Sequence, residues 1–193
     1  MCDILSLLCF AISCQQSAIK TRSRVPNQQA VMSAVFQNVK VLIVDHNEGM
    51  RNIIATVLRG LGFPSLQSAE NGEDALNRIR IYGPDLVISE LKMPVMDGPT
   101  LVRTLRGDQN SPSNSVPIII TSGHTEDKYV RECLVAGADH FLARPISGRN
   151  LADRIGRIIR DDRQFVRTPH YIGPARNLKI VDIMKANKPA VAA

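Results

Sequence analysis

The chain has 193 residues, of which 44% are hydrophobic and 22% charged, a composition that excludes a disordered or fibrous protein. This length accommodates one ordinary domain with extensions, and no apolar run approaches the roughly 20 residues of a membrane-spanning helix. The net charge of +6 is uneven: residues 38–143 hold 10 Lys/Arg against 13 Asp/Glu, whereas the residues from Arg144 onward hold 11 against 4.

Residues 1–37 are predicted to be an N-terminal extension, either disordered or the product of a mis-assigned start at which Met32 would be the natural first residue. Three of the four cysteines (Cys2, Cys9 and Cys14) lie here, with spacings that match no common zinc pattern. The short apolar stretch lacks the basic residues that begin a secretion signal. We therefore expect a cytoplasmic protein.

From residue 38 to 160 the hydrophobic pattern alternates between strand and helix periods, which predicts one folded domain. The strand-like runs lie at 39–45, 65–69, 85–90, 116–122 and 138–143. The helical patterns lie at 50–61, 71–83, 98–107, 126–137 and after Ser147, which can cap the last helix. The run VPIIITS (116–122) is the most apolar and is expected centrally in the sheet.

Five strands that alternate with five helices predict a doubly wound, five-stranded parallel sheet of the (βα)5 type. In such sheets the functional groups gather at the carboxyl ends of the strands, near the point where strand order reverses. Four polar residues end or directly follow predicted strands: Asp45, Glu90, Thr121 and Arg144. We expect these four side chains to form the functional site.

Five segments in this order and spacing resemble the response-regulator receiver domain, the CheY-like module of two-component signalling. They are VLIVDHNEGMR, the pair Asn71-Gly72, DLVISELKMPVMDG, IIITSGH and GADHFLARPIS. The resemblance covers residues 39–160. It implies the flavodoxin-like fold and a role in phosphorelay signal transduction.

The resemblance also implies a chemistry. In the family, two acidic residues after the first strand and a phosphoacceptor Asp after the third strand hold Mg²⁺ through oxygen ligands. The Asp becomes an acyl phosphate, stabilised by the metal and by a Lys after the fifth strand. A Thr or Ser after the fourth strand and an aromatic residue in the fifth strand respond to the phosphoryl group.

This sequence matches that pattern in part. Asp45 matches the first acid, Thr121 and Phe141 match the two switch positions, and Pro145 matches the proline that usually follows a cis peptide bond. Three positions depart from it. His46 replaces the second acid, Glu90 replaces the phosphoacceptor Asp, and Arg144 replaces the lysine.

The three departures indicate a receiver without its phosphorylation chemistry. Imidazole is a poor ligand for Mg²⁺, so no cofactor is expected, and Asp45 remains only a weak Mg²⁺ candidate. Glu90 displaces its carboxylate by about one carbon–carbon bond, and a misplacement of ~1 Å can cost ~100-fold in rate. Arg144 can hold a carboxylate by two parallel hydrogen bonds. Our hypothesis is a fixed Glu90–Arg144 pair near Thr121; its alternative is drift in an obsolete pocket.

The C-terminal residues 161–193 are predicted to be a basic tail. In the helix before it, Arg149, Arg154, Arg157 and Arg160 lie opposite the apolar stripe. These arginines are either a solvated face or a surface for an anionic partner. Aromatic residues are sparse, so nucleic acid is not an expected partner.

We therefore expect a stand-alone atypical receiver that is not an enzyme and has no catalytic residue. It would act by protein–protein contact with a histidine kinase, a phosphotransfer protein or a downstream target, through the helix 4–strand 5–helix 5 face. That face also allows a homodimer. The alternatives are a phosphate-accepting receiver with an altered site, or an effector that binds a cyclic dinucleotide or nucleic acid through its arginines.

Overall fold

The computed structural model describes residue 36 and residues 38–109, 111–124 and 126–175. The predicted N-terminal extension therefore lies outside the described residues except for Phe36, whose ring stacks on Phe63 at a centroid distance of 4.3 Å. Residues 176–193 of the predicted tail also lie outside them. Within the described part, no helix is both long enough and apolar enough to cross a membrane.

Five strands alternate with five helices. The strands are β1 (Lys40–Val44), β2 (Ser65–Ala69), β3 (Leu86–Glu90), β4 (Ile118–Ser122) and β5 (His140–Ala143). The helices are α1 (Glu48–Gly60), α2 (Gly72–Tyr82), α3 (Gly98–Gly107), α4 (Asp127–Ala136) and α5 (Gly148–Ile159). Four helix starts have a side-chain cap that accepts a backbone N–H three residues later; the caps are Asn47, Asn71, Asp97 and Ser147.

The strands form one parallel sheet in the order β2-β1-β3-β4-β5, which confirms the predicted doubly wound fold. β4 lies inside the sheet between β3 and β5, as its apolar sequence predicts, and β3 is the middle strand. Both strands are buried along their whole length because each has a neighbouring strand on both sides. The chain order reverses between β1 and β3, which places the switch point of the sheet beside the ends of these two strands.

Each face of the sheet buries its own apolar cluster. On one face the strands pack against α2, α3 and α4 through residues such as Ile79, Leu101 and Cys133. On the other face they pack against α1 and α5 through residues such as Leu58 and Leu151. Burial of one such large apolar side chain stabilises a fold by about 1.5–3 kcal/mol, so these two clusters hold the strand ends in place.

After α5 the chain forms a hairpin of two antiparallel strands, β6 (Phe165–Thr168) and β7 (Tyr171–Pro174), where the sequence predicts no strand. Tyr171 is 7% exposed, packs with Val135 of α4, and donates its hydroxyl to the carbonyl of Pro174 at 2.8 Å. The first part of the predicted tail is therefore packed against the domain.

The hairpin lies close to the turn between α4 and β5. A Cβ atom on Gly137 would lie 2.3 Å from the carbonyl oxygen of Ile172, and Gly137 has a φ of +103° that other residues rarely adopt. Glycine is thus required at this turn for two reasons: its backbone conformation and the approach of β7.

Candidate functional site

The carboxyl ends of β1, β3, β4 and β5 bring the four predicted side chains to one edge of the sheet. Glu90 is the last residue of β3 and pairs in register with Thr121 of β4. Asp45 directly follows β1, and Arg144 directly follows β5. Parallel pairing is the cause, since it places the ends of all these strands at the same edge.

Asp45 is fully buried, and both of its carboxylate oxygens have donors. Oδ1 accepts the backbone N–H of Asn47 at 2.9 Å, and Oδ2 accepts Nη2 of Arg144 at 2.5 Å. Burial raises the pKa of Asp45, and the nearby charge of Glu90 also raises it, whereas Asn47 and Arg144 oppose the rise. The charged form of this carboxylate therefore depends on its donors.

Glu90 is 7% exposed and lies between two basic side chains. Its Oε2 is 2.5 Å from Nδ1 of His46, and its Oε1 is 3.1 Å from Nη1 of Arg144. His46 is exposed, and its Nδ1 lies 3.9 Å from Asp45, too far for a hydrogen bond. His46 therefore acts on Glu90 and not on Asp45.

Arg144 bridges the two carboxylates instead of holding Glu90 alone. One terminal nitrogen contacts Asp45 and the other contacts Glu90, so the two parallel bonds to a single carboxylate expected from the sequence do not form. The planar fork of guanidinium allows this because its terminal nitrogens point in different directions. The Arg144–Pro145 peptide bond is cis, as the family resemblance implies.

The two switch positions lie next to this network without a hydrogen bond to it among the described residues. Thr121 is fully buried, and its hydroxyl lies 3.5 Å from the carbonyl oxygen of Ser89, a long and weak contact. Phe141 is half-buried, pairs in register with Ile120, and packs against the apolar cluster of α2, α3 and α4. Its ring therefore points toward the core.

The site fits Mg²⁺ poorly. Asp45, His46 and Glu90 offer three ligand atoms within 4.8 Å of one another, but one of them is an imidazole nitrogen. All four carboxylate oxygens already have a donor, and the Arg144 charge lies between the two carboxylates. With His46 neutral, the group has a net charge of −1, so a divalent cation would have to displace the guanidinium.

The loop between β3 and α3 closes the site from one side. The N–H of Gly98 bonds to the carbonyl of Leu91 at 2.9 Å, and a Cβ on Gly98 would lie 2.5 Å from the carbonyl oxygen of Glu90. Gly98 thus lets the loop approach the strand closely enough to hold the Glu90 backbone.

One residue of this loop has a strained backbone. Val95 has a φ of 68° and is the only described non-glycine residue with a positive φ. The bond from the N–H of Met96 to the carbonyl of Pro94, 2.8 Å long, closes a tight turn around it. A β-branched residue is disfavoured in this conformation, and Val95 gains little from packing because it is 78% exposed.

Replacement of Val95 by asparagine is expected to raise the free energy of unfolding by about 1 kcal/mol, because asparagine tolerates this backbone conformation. Urea denaturation of both proteins measures the change. Val95→Ala is the matched control: it keeps the Cβ atom and should gain less. A Val95→Asn protein that is no more stable than the wild type would show that the backbone conformation of Val95 costs no stability.

The predicted surface residues lie apart from the site residues in the sequence and on a different element. Arg149 and Arg157 of α5 are exposed, as is Arg160, which directly follows the helix, and Arg154 is half-buried. Lys92 of the β3–α3 loop and Tyr129 of α4 are in contact at the rim of the site, a contact that the sequence does not predict. These residues are 37 positions apart, so only the packing order of the helices could have indicated their contact.

Comparison with known proteins gives consistent results. The family model of the response regulator receiver domain matches residues 41–156. The chain is 29% identical over 128 residues to the chemotaxis protein CheY-3 of Vibrio cholerae, covering 66% of this chain and 97% of that protein. It is 31% identical over 145 residues to the DNA-binding response regulator MtrA of Mycolicibacterium paratuberculosis, covering 75% of this chain and 58% of MtrA.

Solved structures give the same fold. The chemotaxis response regulator CheY4 of Vibrio cholerae is similar with a TM-score of 0.57 and 28% identity, covering 62% of this chain and 98% of that one. The receiver domain of the Francisella response regulator 1452 is similar with a TM-score of 0.57 and 29% identity, covering 64% of this chain and 98% of that one.

Proposed function

The chain belongs to the response regulator receiver family of two-component signalling, and from this premise we propose that it signals without accepting a phosphoryl group. In this proposal the domain is an atypical receiver that is not an enzyme. It acts through contacts with protein partners. Its stand-alone action, and its use of the helix 4–strand 5–helix 5 face or of a homodimer, remain predictions from the sequence.

The observation that carries the proposal is the bridge that Arg144 makes between Asp45 and Glu90, with terminal nitrogens 2.5 Å and 3.1 Å from their oxygens. A phosphoacceptor needs a free carboxylate oxygen that can attack phosphorus. Both oxygens of Glu90 have basic neighbours instead, His46 on one side and Arg144 on the other. The bridge thus takes the place of the metal and reduces the nucleophilicity of the carboxylate.

The same bridge supports the proposal that no Mg²⁺ is required. In a receiver with three acids, the metal neutralises charge that would otherwise repel. Here the guanidinium neutralises part of it permanently, because arginine does not lose its proton in proteins. The site therefore has a built-in positive charge that does not depend on a bound metal, and a partner binds the domain in this form.

Acetyl phosphate tests the proposal. We expect no acyl phosphate when the full-length protein is incubated with acetyl phosphate and Mg²⁺, measured by intact mass and by Phos-tag electrophoresis. A receiver that has the usual phosphoacceptor Asp serves as the positive control. A stoichiometric acyl phosphate on Glu90 or Asp45, with release of acetate, would overturn the proposal.

Substitutions test which of the three departures from the family pattern prevents phosphorylation. Glu90→Asp alone is expected to leave phosphorylation well below that of the positive control, because Arg144 and His46 still occupy the site. The triple variant His46→Asp, Glu90→Asp, Arg144→Lys restores all three family residues and should form the adduct. If Glu90→Asp alone is fully phosphorylated, then carboxylate length is the sole obstacle and the bridge has no inhibitory role.

A further inference from the structure

A cluster of cationic and aromatic side chains lies at the rim of the site, where the β3–α3 loop meets the start of α4. Nζ of Lys92 donates to the hydroxyl of Tyr129 at 3.0 Å and lies 4.5 Å from the centre of its ring. Nζ of Lys128 lies 4.7 Å from the same ring centre. His124 contacts the ring edge-on at a centroid distance of 5.5 Å. We call these four residues the Tyr129 cluster.

The two ammonium groups of the Tyr129 cluster are held close together. Because both lie within 5 Å of one ring centre, they are less than about 10 Å apart, inside the Debye length of about 10 Å at 0.1 M salt. Lys128 has an exposed ion pair with Glu126 at 2.7 Å. Glu126 also interacts electrostatically with Lys92, but Lys92 forms no ion pair within 4 Å among the described residues. The two ammonium groups therefore share one exposed carboxylate partner.

Tyr129 gives the cluster a fixed position. Its ring is half-buried and packs against the apolar cluster of α2, α3 and α4, while its hydroxyl reaches the rim. The hydrogen bond from Lys92 lowers the pKa of the phenol, so its hydroxyl is a strong hydrogen-bond donor. Tyrosine, an apolar ring with a polar tip, is enriched at protein interfaces.

We propose that the Tyr129 cluster is a docking surface for an acidic segment of a partner protein. This inference rests on the proposed function, since it specifies the chemistry of a partner in protein–protein signalling. Charge complementarity identifies the occupant: carboxylates of the partner would contact Lys92 and replace Glu126 at Lys128. The surface is open and has one aromatic ring, which suits a chain of carboxylates better than stacked bases.

A labelled hexaglutamate peptide tests the surface with the full-length protein. Fluorescence anisotropy at low salt gives the affinity, and amide chemical shifts locate the contact at Lys92, Lys128 and Tyr129. The double variant Lys92→Ala, Lys128→Ala is expected to weaken binding about tenfold. Each exposed ion pair that is lost should weaken it a few-fold, and the two losses multiply. Affinity should fall as salt rises.

Lys40→Ala is the matched control. Lys40 also lies over a tyrosine ring, that of Tyr82 at 5.5 Å, but it begins β1 at the opposite edge of the sheet. This variant should bind the peptide as tightly as the wild type. Tyr129→Phe keeps the ring and removes the hydroxyl, and its affinity should lie between those of the wild type and the double lysine variant.

Three results would overturn the proposal: affinity unchanged in the double lysine variant, chemical-shift changes confined to the arginines of α5, or inorganic pyrophosphate competing more strongly than the peptide. The assay contains no phosphoryl donor, so its failure is distinct from a failure of the proposed function. A protein that forms no acyl phosphate and does not bind the peptide here would retain the proposed function and exclude this docking surface.

Discussion

Replacement of Arg106 by alanine is expected to lower the free energy of unfolding by about 3–5 kcal/mol, the range for breaking a buried ion pair. Arg106 ends α3 and is only 1% exposed. Its guanidinium donates to the carbonyls of Gly137 and Asn114 at 3.1 Å and 2.7 Å, and to Oδ2 of Asp139 at 2.9 Å. Without it, all three acceptors lose this buried donor, while the backbone N–H of Ile118 still donates to Oδ2 of Asp139.

Urea denaturation, followed by circular dichroism, measures this loss. Arg78→Ala is the matched control, because Arg78 pairs with Asp74 at 2.9 Å on an exposed helix surface. Such surface pairs contribute about 0.3–0.5 kcal/mol. If the two variants are equally stable, then Arg106 does not hold the domain together. Because Arg106 also lies under the ring of Phe165 at 5.3 Å, its loss should increase the proteolytic sensitivity of the hairpin first.

The sequence could not reveal the role of Arg106. An arginine in the last turn of a predicted helix is normally solvated. Two of its partners are 31 and 33 positions away, so they become neighbours only when the α4–β5 turn packs beside the end of α3. The hairpin could not be predicted for the same reason. Its strands β6 and β7 are short and depend on contacts with α4 rather than on a hydrophobic pattern of their own.

The strands and helices before residue 160 were predictable because each carries its own hydrophobic period. Runs such as VLIV in β1 and IIITS in β4 are buried on both faces and therefore read as continuous apolar segments. Their parallel pairing followed from the alternation with helices. The strand order, with β3 in the middle, depends on how the connections cross the sheet, and apolar content does not encode this.

At the site, the sequence predicts which side chains meet but not how they divide their contacts. The strand ends place Asp45, Glu90 and Arg144 together, and their charges predict an attraction. Whether Arg144 contacts one carboxylate or bridges both depends on small differences in side-chain position, and the residue types alone do not determine these. The family resemblance places His46 at the position of a metal-binding acid, whereas its shortest contact in this group is with Glu90, at 2.5 Å.

Replacement of Arg144 by methionine is expected to lower the free energy of unfolding at pH 7 by about 2–4 kcal/mol. This loss lies at the lower end of the range for breaking a buried ion pair, because the arginine side chain is 21% exposed and His46 still contacts Glu90. Burial already raises the pKa of Asp45, and the arginine charge opposes that rise. Without Arg144 the folded-state pKa of Asp45 rises further above its unfolded value.

The sign of the pH dependence follows from this rise. A raised carboxyl pKa favours the folded state when the group is protonated and loses that contribution as pH increases through the folded pKa. The deficit of Arg144→Met relative to the wild type is therefore largest at neutral pH and shrinks as pH falls toward ~4, the ordinary carboxyl range. Urea denaturation at several pH values measures this difference.

Magnesium provides a second readout for the same variant. Arg144→Met frees one oxygen of Asp45 and one of Glu90 and leaves two carboxylates without the guanidinium between them. Added Mg²⁺ should then raise the urea midpoint of the variant, because a ligand that binds only the folded state stabilises it. Arg51→Met is the control, since Arg51 contacts only the backbone carbonyl of Asp45, at 2.7 Å, and its loss should create no Mg²⁺ response. An Arg144→Met protein that is as stable as the wild type and indifferent to Mg²⁺ would show that the bridge does not stand in for the metal.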